Sequence, residues 1–311
     1  MRPGLLHSIR IRFGASPIRA GILRSVIGTL ICLTIGCATP PDQRLAQLVQ
    51  ESRQEGFSAV RFGNAPALLG IMRGQMSGQP GAGRLWVVIE GDGMAWLSLR
   101  EPSPDPTPRD PVGWRLARRL SEPMVLYLAR PCQFLSDSER VDCSPSDWTD
   151  ERFSQRWLLR LNAAIDEAKR NAGMTDGGRV VLAGYSGGGV LAALLAVRRN
   201  DIAGLVTVAA PLDHAGWASH HGVSALAGSL SVTDVRRQLA AVPQVHVTGE
   251  NDAVVPPFLI ERFVAAYRAG APVTVLKLPG VDHAMRTDID LSRLRTSTRP
   301  GPTVGGQHTF P

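Results

Sequence analysis

The chain has 311 residues, enough for one large α/β domain or two small ones, and its apolar content of 44% allows a full hydrophobic core. The formal net charge of +7 is concentrated at the N-terminus, because residues 1–36 hold five arginines and no acidic residue, which leaves +2 for the rest. No later cluster of basic residues with interleaved aromatic residues is present, so the composition argues against a nucleic-acid partner.

Residues 1–36 predict a signal peptide. Arginines up to Arg24 precede an apolar run from Ser25 to Gly36, which is shorter than a comfortable membrane span and typical of a secretory signal. The run ends at Thr34-Ile35-Gly36-Cys37, which resembles the lipobox of bacterial lipoproteins, with threonine where leucine is usual. The resemblance implies lipidation of Cys37 and a membrane anchor. Ala38 after the cysteine favours an outer membrane lipoprotein facing the periplasm; an inner-membrane anchor and a soluble periplasmic protein are the alternatives.

The remaining cysteines support export. Cys32 would leave with the signal peptide and Cys37 would carry the lipid, so Cys132 and Cys143 form an even pair eleven residues apart. In an oxidising compartment, such a pair is expected to form a disulfide bond. Two cysteines without a nearby histidine cannot complete a zinc site.

Strand-like and helical segments alternate along most of the chain. The predicted strands are residues 58–62, 67–72, 85–90, 124–128, 180–183, 202–209, 244–248 and 272–277. The predicted helices are residues 42–55, 111–120, 150–171, 189–197, 232–239, 256–269 and 284–294, with an irregular segment at 211–231. This alternation predicts an α/β fold: a mostly parallel central sheet with helices on both faces, entered by an antiparallel hairpin.

The domain organisation follows from these segments. Residues 37–57 form a lipidated tether and an N-terminal helix, and residues 58–295 form one domain without an internal boundary. Residues 296–311 are rich in glycine, proline and threonine and are predicted to be a disordered tail.

The segment Val180 to Gly189 carries the strongest chemical signal. A buried strand runs into Gly184-Tyr185-Ser186-Gly187-Gly188, and an alanine- and leucine-rich helix follows at once. A serine on such a strand–turn–helix apex exposes its hydroxyl, while the flanking glycines let the helix pass close to the strand. Ser186 is therefore the predicted nucleophile, and a glycine-rich structural turn is the alternative.

A serine needs a base and an orienting acid to act as a nucleophile. His283 follows the last strand, and Asp252 follows the strand that ends at Thr248. Glu250 and Asp213 are rival acids.

The order Ser186, Asp252, His283, each just past a strand, resembles the α/β-hydrolase superfamily over about residues 58–295. The resemblance implies that Ser186 is the nucleophile, that His283 is the general base and then the acid, and that Asp252 orients His283.

An oxyanion hole needs two backbone N–H donors. Gly187 is the first candidate. Glu90-Gly91-Asp92-Gly93 resembles the His-Gly loop of lipases and esterases, with glutamate replacing histidine. Asp92 is the predicted second donor and Gly93 the alternative. Glu90 could hold the loop through hydrogen bonds, or be simply an acid at the end of the strand; its carboxylate would be costly near the developing negative charge unless it points away.

The irregular segment is predicted to form a short cap with part of the pocket wall. It contains His214, Trp217, His220 and His221 in no recognised metal-ligand spacing, so no metal site is predicted.

The expected activity is hydrolysis of a small-molecule carboxylic ester through an acyl-enzyme, with no cofactor. An amidase or peptidase with the same residues is one alternative, and a non-catalytic envelope lipoprotein is another. The oligomeric state is left open.

Overall fold

The computed structural model describes residues 41–74, 83–98, 100–175 and 177–294. The predictions about the signal peptide, about Cys37 and about the tail 296–311 concern residues outside these ranges.

An eight-stranded sheet forms the centre of the described chain. Its strands are β1 (Ser58–Phe62), β2 (Leu68–Arg73), β3 (Arg84–Ile89), β4 (Val125–Leu128), β5 (Arg179–Tyr185), β6 (Ile202–Val208), β7 (Gln244–Gly249) and β8 (Val273–Leu278). They lie in the order β1-β2-β4-β3-β5-β6-β7-β8. Strand β2 is antiparallel to both of its neighbours, and all other pairs are parallel. The predicted mostly parallel sheet with an antiparallel entry hairpin is confirmed.

Seven α-helices accompany the strands in the described ranges. They are α1 (Pro41–Gln54), α2 (Val112–Ala117), α3 (Gln155–Asn171), α4 (Gly187–Ala196), α5 (His214–His221), α6 (Arg236–Leu239) and α7 (Pro257–Ala265). Two short 3-10 helices add Pro145–Trp148 and Leu291–Arg293. No described helix combines the length and the hydropathy needed to cross a membrane.

The sheet is covered on both faces, as its apolar strands predict. In β3, Leu85, Val87 and Ile89 belong to the core on one face, which also contains helices α3, α4 and α7. Trp86 and Val88 belong to the core on the other face, with α1 and α2. All ten residues of α4 are buried, so this helix is enclosed by protein. Burial of each large aliphatic side chain contributes about 1.5–3 kcal/mol to folding.

Four helix predictions were wrong in extent. Those at 111–120 and 256–269 end early, at Ala117 and Ala265. The helix predicted at 150–171 begins only at Gln155, after the 3-10 helix Pro145–Trp148. The helix predicted at 232–239 is reduced to α6, and α5 occupies part of the segment predicted to be irregular.

The predicted final helix at 284–294 is also wrong. Arg115 donates to the backbone carbonyl of Ala284 at 2.6 Å, and Arg119 donates to that of Thr287 at 3.0 Å. Met285 between them has a φ of 48°. This left-handed residue interrupts a right-handed helix, and within the described residues of this segment only the 3-10 helix Leu291–Arg293 forms.

Candidate active site

Ser186 lies at the sharp turn from β5 into α4. Its φ of 49° and ψ of −123° are strained for a residue with a Cβ, and its N–H donates to the carbonyl of Val208 at 2.8 Å. A Cβ on Gly184 would lie 2.3 Å from the carbonyl oxygen of Gly188, and one on Gly188 would lie 2.3 Å from that of Ile89. The glycines therefore let helix and strand approach closely, as the sequence predicts.

His283 and Asp252 meet beside this turn, although 31 residues separate them. Nδ1 of His283 lies 2.9 Å from Oδ2 of Asp252. Oδ1 of Asp252 accepts from the N–H groups of Val254 at 2.9 Å and Val255 at 2.7 Å. A carboxylate accepts hydrogen bonds, so this contact favours the arrangement in which Nδ1 of His283 donates to Asp252 and Nε2 is the ring nitrogen left for other partners.

Ser186 and His283 line the same cavity, which has a volume of about 460 Å³. Among the described residues, no hydrogen bond joins Oγ of Ser186 to the His283 ring. Such nucleophile–base contacts are often long without substrate and shorten when it binds.

The rival acids have other partners. Asp213 caps α5 by accepting from the N–H of Gly216 at 2.8 Å and forms an ion pair with Arg262 at 2.9 Å. Glu250 is exposed to solvent. Asp252 is therefore the acid that the fold brings to His283.

Tyr185 holds the His283 loop, a role that the sequence analysis missed. Its hydroxyl donates to the backbone carbonyl of His283 at 2.8 Å, and the two rings are 5.3 Å apart between centroids. Burial raises the pKa of Tyr185, so the hydroxyl stays protonated and remains a donor. The only sequence signal was its position directly before the serine.

The buried Glu90 carboxyl is held by three donors from neighbouring segments. Its Oε1 accepts from the N–H groups of Gly91 at 2.8 Å and Gly113 at 3.0 Å, and its Oε2 accepts from the Tyr127 hydroxyl at 3.2 Å. Burial raises the pKa of Glu90, and these hydrogen bonds offset only part of the increase. Glu90 thus ties the loop after β3 to the start of α2.

The predicted oxyanion donors lie next to each other. A Cβ on Gly187 would lie 2.0 Å from Oδ1 of Asp92, so the two residues are in direct contact. Within the described ranges, the backbone N–H groups of Asp92, Gly93 and Gly187 have no protein acceptor. Gly93 has a φ of 64°, and a Cβ there would lie 2.1 Å from the carbonyl oxygen of Pro106.

Two arginines that the sequence analysis did not single out hold the Asp92 carboxylate. Arg130 binds Oδ1 at 2.6 Å, and Arg152 binds Oδ2 at 2.7 Å. Burial alone would raise the pKa of Asp92, but Arg152 and Arg130 outweigh it and hold the pKa below its ordinary value. The carboxylate is therefore ionised and neutralised beside the nucleophile.

The predicted disulfide between Cys132 and Cys143 is present. Its loop contains Gln133, whose side-chain amide donates to the carbonyl of Gly91 at 3.0 Å and accepts from the N–H of Arg130 at 3.0 Å. The disulfide loop therefore supports the loop that carries Asp92.

The histidine-rich segment lines the cavity only in part. His214 and Trp217 are lining residues, whereas His220 and His221 are not. Nε2 of His214 contacts the carbonyl of Leu230 at 3.2 Å, and burial lowers the pKa of His214. In the described part of the chain, no three His, Cys, Asp or Glu side chains are grouped as a metal site requires.

No family model matches this sequence, and no curated protein matches it. An acylaminoacyl peptidase from Pyrococcus horikoshii superposes with a TM-score of 0.52 at 12% identity, over 74% of this chain and 38% of the peptidase chain. A protein from Agrobacterium tumefaciens described as a putative α/β hydrolase has a TM-score of 0.49 at 17% identity, over 76% of this chain and 90% of its own. Est1E from Butyrivibrio proteoclasticus has a TM-score of 0.49 at 16% identity, over 74% of this chain and 91% of the Est1E chain.

The strand order and the first of these similarities identify the α/β-hydrolase fold. At such low identity the similarity concerns the fold alone. Any activity has to be argued from the site itself.

Proposed function

We propose that this protein is a serine hydrolase that cleaves a carboxylic ester through an acyl-enzyme, with Ser186, His283 and Asp252 as its catalytic residues. The observation that carries the proposal is a strained serine sharing a cavity with a histidine whose Nδ1 is bound to a buried carboxylate. This arrangement leaves Nε2 of His283 free to take the serine proton.

The reaction uses each group at a defined atom. Oγ of Ser186 attacks the ester carbonyl carbon as its proton passes to Nε2 of His283, and Asp252 balances the resulting imidazolium charge. The N–H groups of Gly187 and Asp92 stabilise the oxyanion, with Gly93 as the alternative donor. The C–O bond then breaks, and the leaving alcohol takes the proton from His283. A water molecule, deprotonated by His283, releases the acyl group and restores Ser186.

A fluorophosphonate probe tests this function directly. Wild type should be labelled stoichiometrically at Ser186, and Ser186→Ala should not be labelled. Turnover of p-nitrophenyl esters, measured beside the matching anilides, then separates an esterase from an amidase or peptidase, because the same residues serve both reactions. A folded wild type that neither labels nor turns over any ester or anilide would instead support a non-catalytic binding protein.

We also propose that the protein is a bacterial envelope lipoprotein, anchored through Cys37 and facing the periplasm. The lipobox-like sequence before Cys37 supports this, as does the disulfide, which suits an oxidising compartment. Replacement of Cys37 by serine should move the protein from the membrane fraction to the soluble periplasm. Wild-type protein already soluble in the periplasm, without a lipid mass, would exclude the anchor.

A further inference from the structure

The cavity beside Ser186 contains a buried excess of positive charge. Arg130 and Arg152 each bind one oxygen of Asp92, so two guanidinium groups share one carboxylate. Only 4% of the Arg130 side chain and 8% of the Arg152 side chain are exposed. The cluster Arg130–Asp92–Arg152, called the arginine cluster below, therefore carries a net charge of +1.

Nearby acids balance this charge only in part, because Glu90 interacts electrostatically with Arg130. Asp110, which also lines the cavity, forms an ion pair with Arg115 at 3.0 Å. The carboxyl oxygens of Glu90 are turned toward Gly91, Gly113 and Tyr127, as described above. A further cavity residue, Arg109, is exposed and has no ion-pair partner among the described residues. Arg109 and Arg152 are therefore the cavity-lining cations that a ligand can meet.

Arg152 has an unused donor group. Its Nε donates to the carbonyl of Thr149 and its Nη1 to Asp92, but its Nη2 has no acceptor in the described part of the chain. This nitrogen is not one of the fully buried atoms that lack a partner, so it keeps contact with solvent. Arg152 lines the cavity, so a substrate group bound there lies against this residue.

The arginine cluster lies directly beside the predicted oxyanion donors. Oδ1 of Asp92 contacts Gly187, and Arg152 binds the other oxygen of the same carboxylate. A guanidinium held rigidly on one side by Asp92 is preorganised to bind a second carboxylate on the other side. Ser186 and Arg152 line the same cavity, so a substrate bound at Ser186 can extend to Arg152.

We propose that the arginine cluster, through Nη2 of Arg152, binds a carboxylate of the substrate, so that the preferred esters carry a negative charge some carbons away from the scissile carbonyl. This inference rests on the proposed hydrolase function and adds a substrate class to it. Arg152 is its specificity-determining residue.

The test compares p-nitrophenyl hemiadipate with its methyl ester, which has nearly the same shape but no charge. The six-carbon acyl chain is long enough to limit attack of the carboxylate on its own ester. Wild type should hydrolyse the charged ester with a kcat/KM about tenfold higher or more, which is the value expected for one hydrogen bond to a charged group. The ratio of the two kcat/KM values, charged ester over neutral ester, should fall as salt is added.

Arg152→Lys retains the positive charge and a partner for Asp92 but loses the planar fork with its spare nitrogen. The ratio of the two kcat/KM values should fall several-fold in this variant, and because both substrates are measured on the same enzyme, a general loss of activity cancels. Arg156→Lys is the matched control, since Arg156 lies outside the cavity lining and pairs with Asp147; its ratio should equal that of wild type.

Two results would overturn the inference alone: a wild-type ratio of one or below while the neutral ester is hydrolysed, or a high ratio that Arg152→Lys leaves unchanged. Absence of both fluorophosphonate labelling and turnover would overturn the proposed function and this inference together.

Discussion

Ser186 is held in a backbone conformation that only glycine adopts without strain, with a φ of 49°. Such strain is stored where the surrounding structure enforces it, here by the close approach of α4 to β5 and β3. The motif in the sequence was sufficient to predict this residue, because strand, glycines and helix are all local features.

Ser186→Gly should relieve the strain, and Ser186→Ala should not, since alanine keeps the Cβ. We expect the glycine variant to be more stable than the alanine variant by about 1 kcal/mol, after allowing for the greater freedom of glycine in the unfolded chain. Urea denaturation of the two variants, both inactive, measures the difference. An alanine variant that is equally or more stable would show that the turn is not strained.

Tyr185 is a positioning residue rather than a catalytic one. Tyr185→Phe removes the hydrogen bond to the His283 carbonyl, so kcat and the rate of fluorophosphonate labelling should fall several-fold while KM changes little. Tyr267→Phe is the control, because its hydroxyl binds Gln244 away from the cavity at 3.2 Å and its loss costs a similar hydrogen bond. If Tyr185→Phe and Tyr267→Phe lost equal activity, the Tyr185 hydroxyl would only stabilise the fold and would not position His283.

At the scale of elements, the site depends on three loops that hold one another. The His283 loop is held by Asp252, by Tyr185 and by Arg115 from α2. The loop after β3 is held by Glu90, which binds the start of α2, and by Gln133 in the disulfide loop. These contacts join segments far apart in the chain, so no local pattern could predict them.

Removal of the disulfide should therefore affect both stability and activity. Cys132→Ser combined with Cys143→Ser is expected to lose about 2–3 kcal/mol of unfolding free energy, because the unfolded chain is no longer cross-linked. Because Gln133 in this loop binds the carbonyl of Gly91 beside Asp92, kcat should also fall at temperatures where the variant is still folded. Thermal denaturation and ester turnover at 20 °C measure the two effects. Unchanged ester turnover in the folded variant would mean that the disulfide stabilises the fold but does not support the active site.

At the scale of the whole molecule, the sheet buries a histidine that takes no part in the site. His246 in β7 is fully buried, contacts Thr207 at 2.8 Å and Gln244 at 3.1 Å, and burial lowers its pKa to about 3. In the unfolded chain its pKa is about 6.5. Between these values the unfolded state binds a proton that the native state does not, so stability falls as the pH is lowered.

We expect His246 to lower the free energy of unfolding by up to about 1.4 kcal/mol for each pH unit as the pH falls from about 6 to about 4. Urea denaturation of wild type and of His246→Gln over this range measures it. Whatever its overall stability, the variant should have a flatter curve of unfolding free energy against pH than wild type. Parallel curves would mean that other groups cause the acid sensitivity.

The sequence alone determined the α/β class, the mostly parallel sheet with its antiparallel entry, the serine turn and the cysteine pair, because these depend on period, glycine placement and composition within short stretches. It overestimated the helix at 284–294, where arginines from elsewhere bind the backbone carbonyls. Only the tertiary structure selected Asp252 over Asp213 as the partner of His283, bound Glu90 to Gly113 and placed Arg130 and Arg152 on Asp92. The physical reason is that these partners come from segments far apart in the sequence. The packing of the sheet sets the geometry of their contacts.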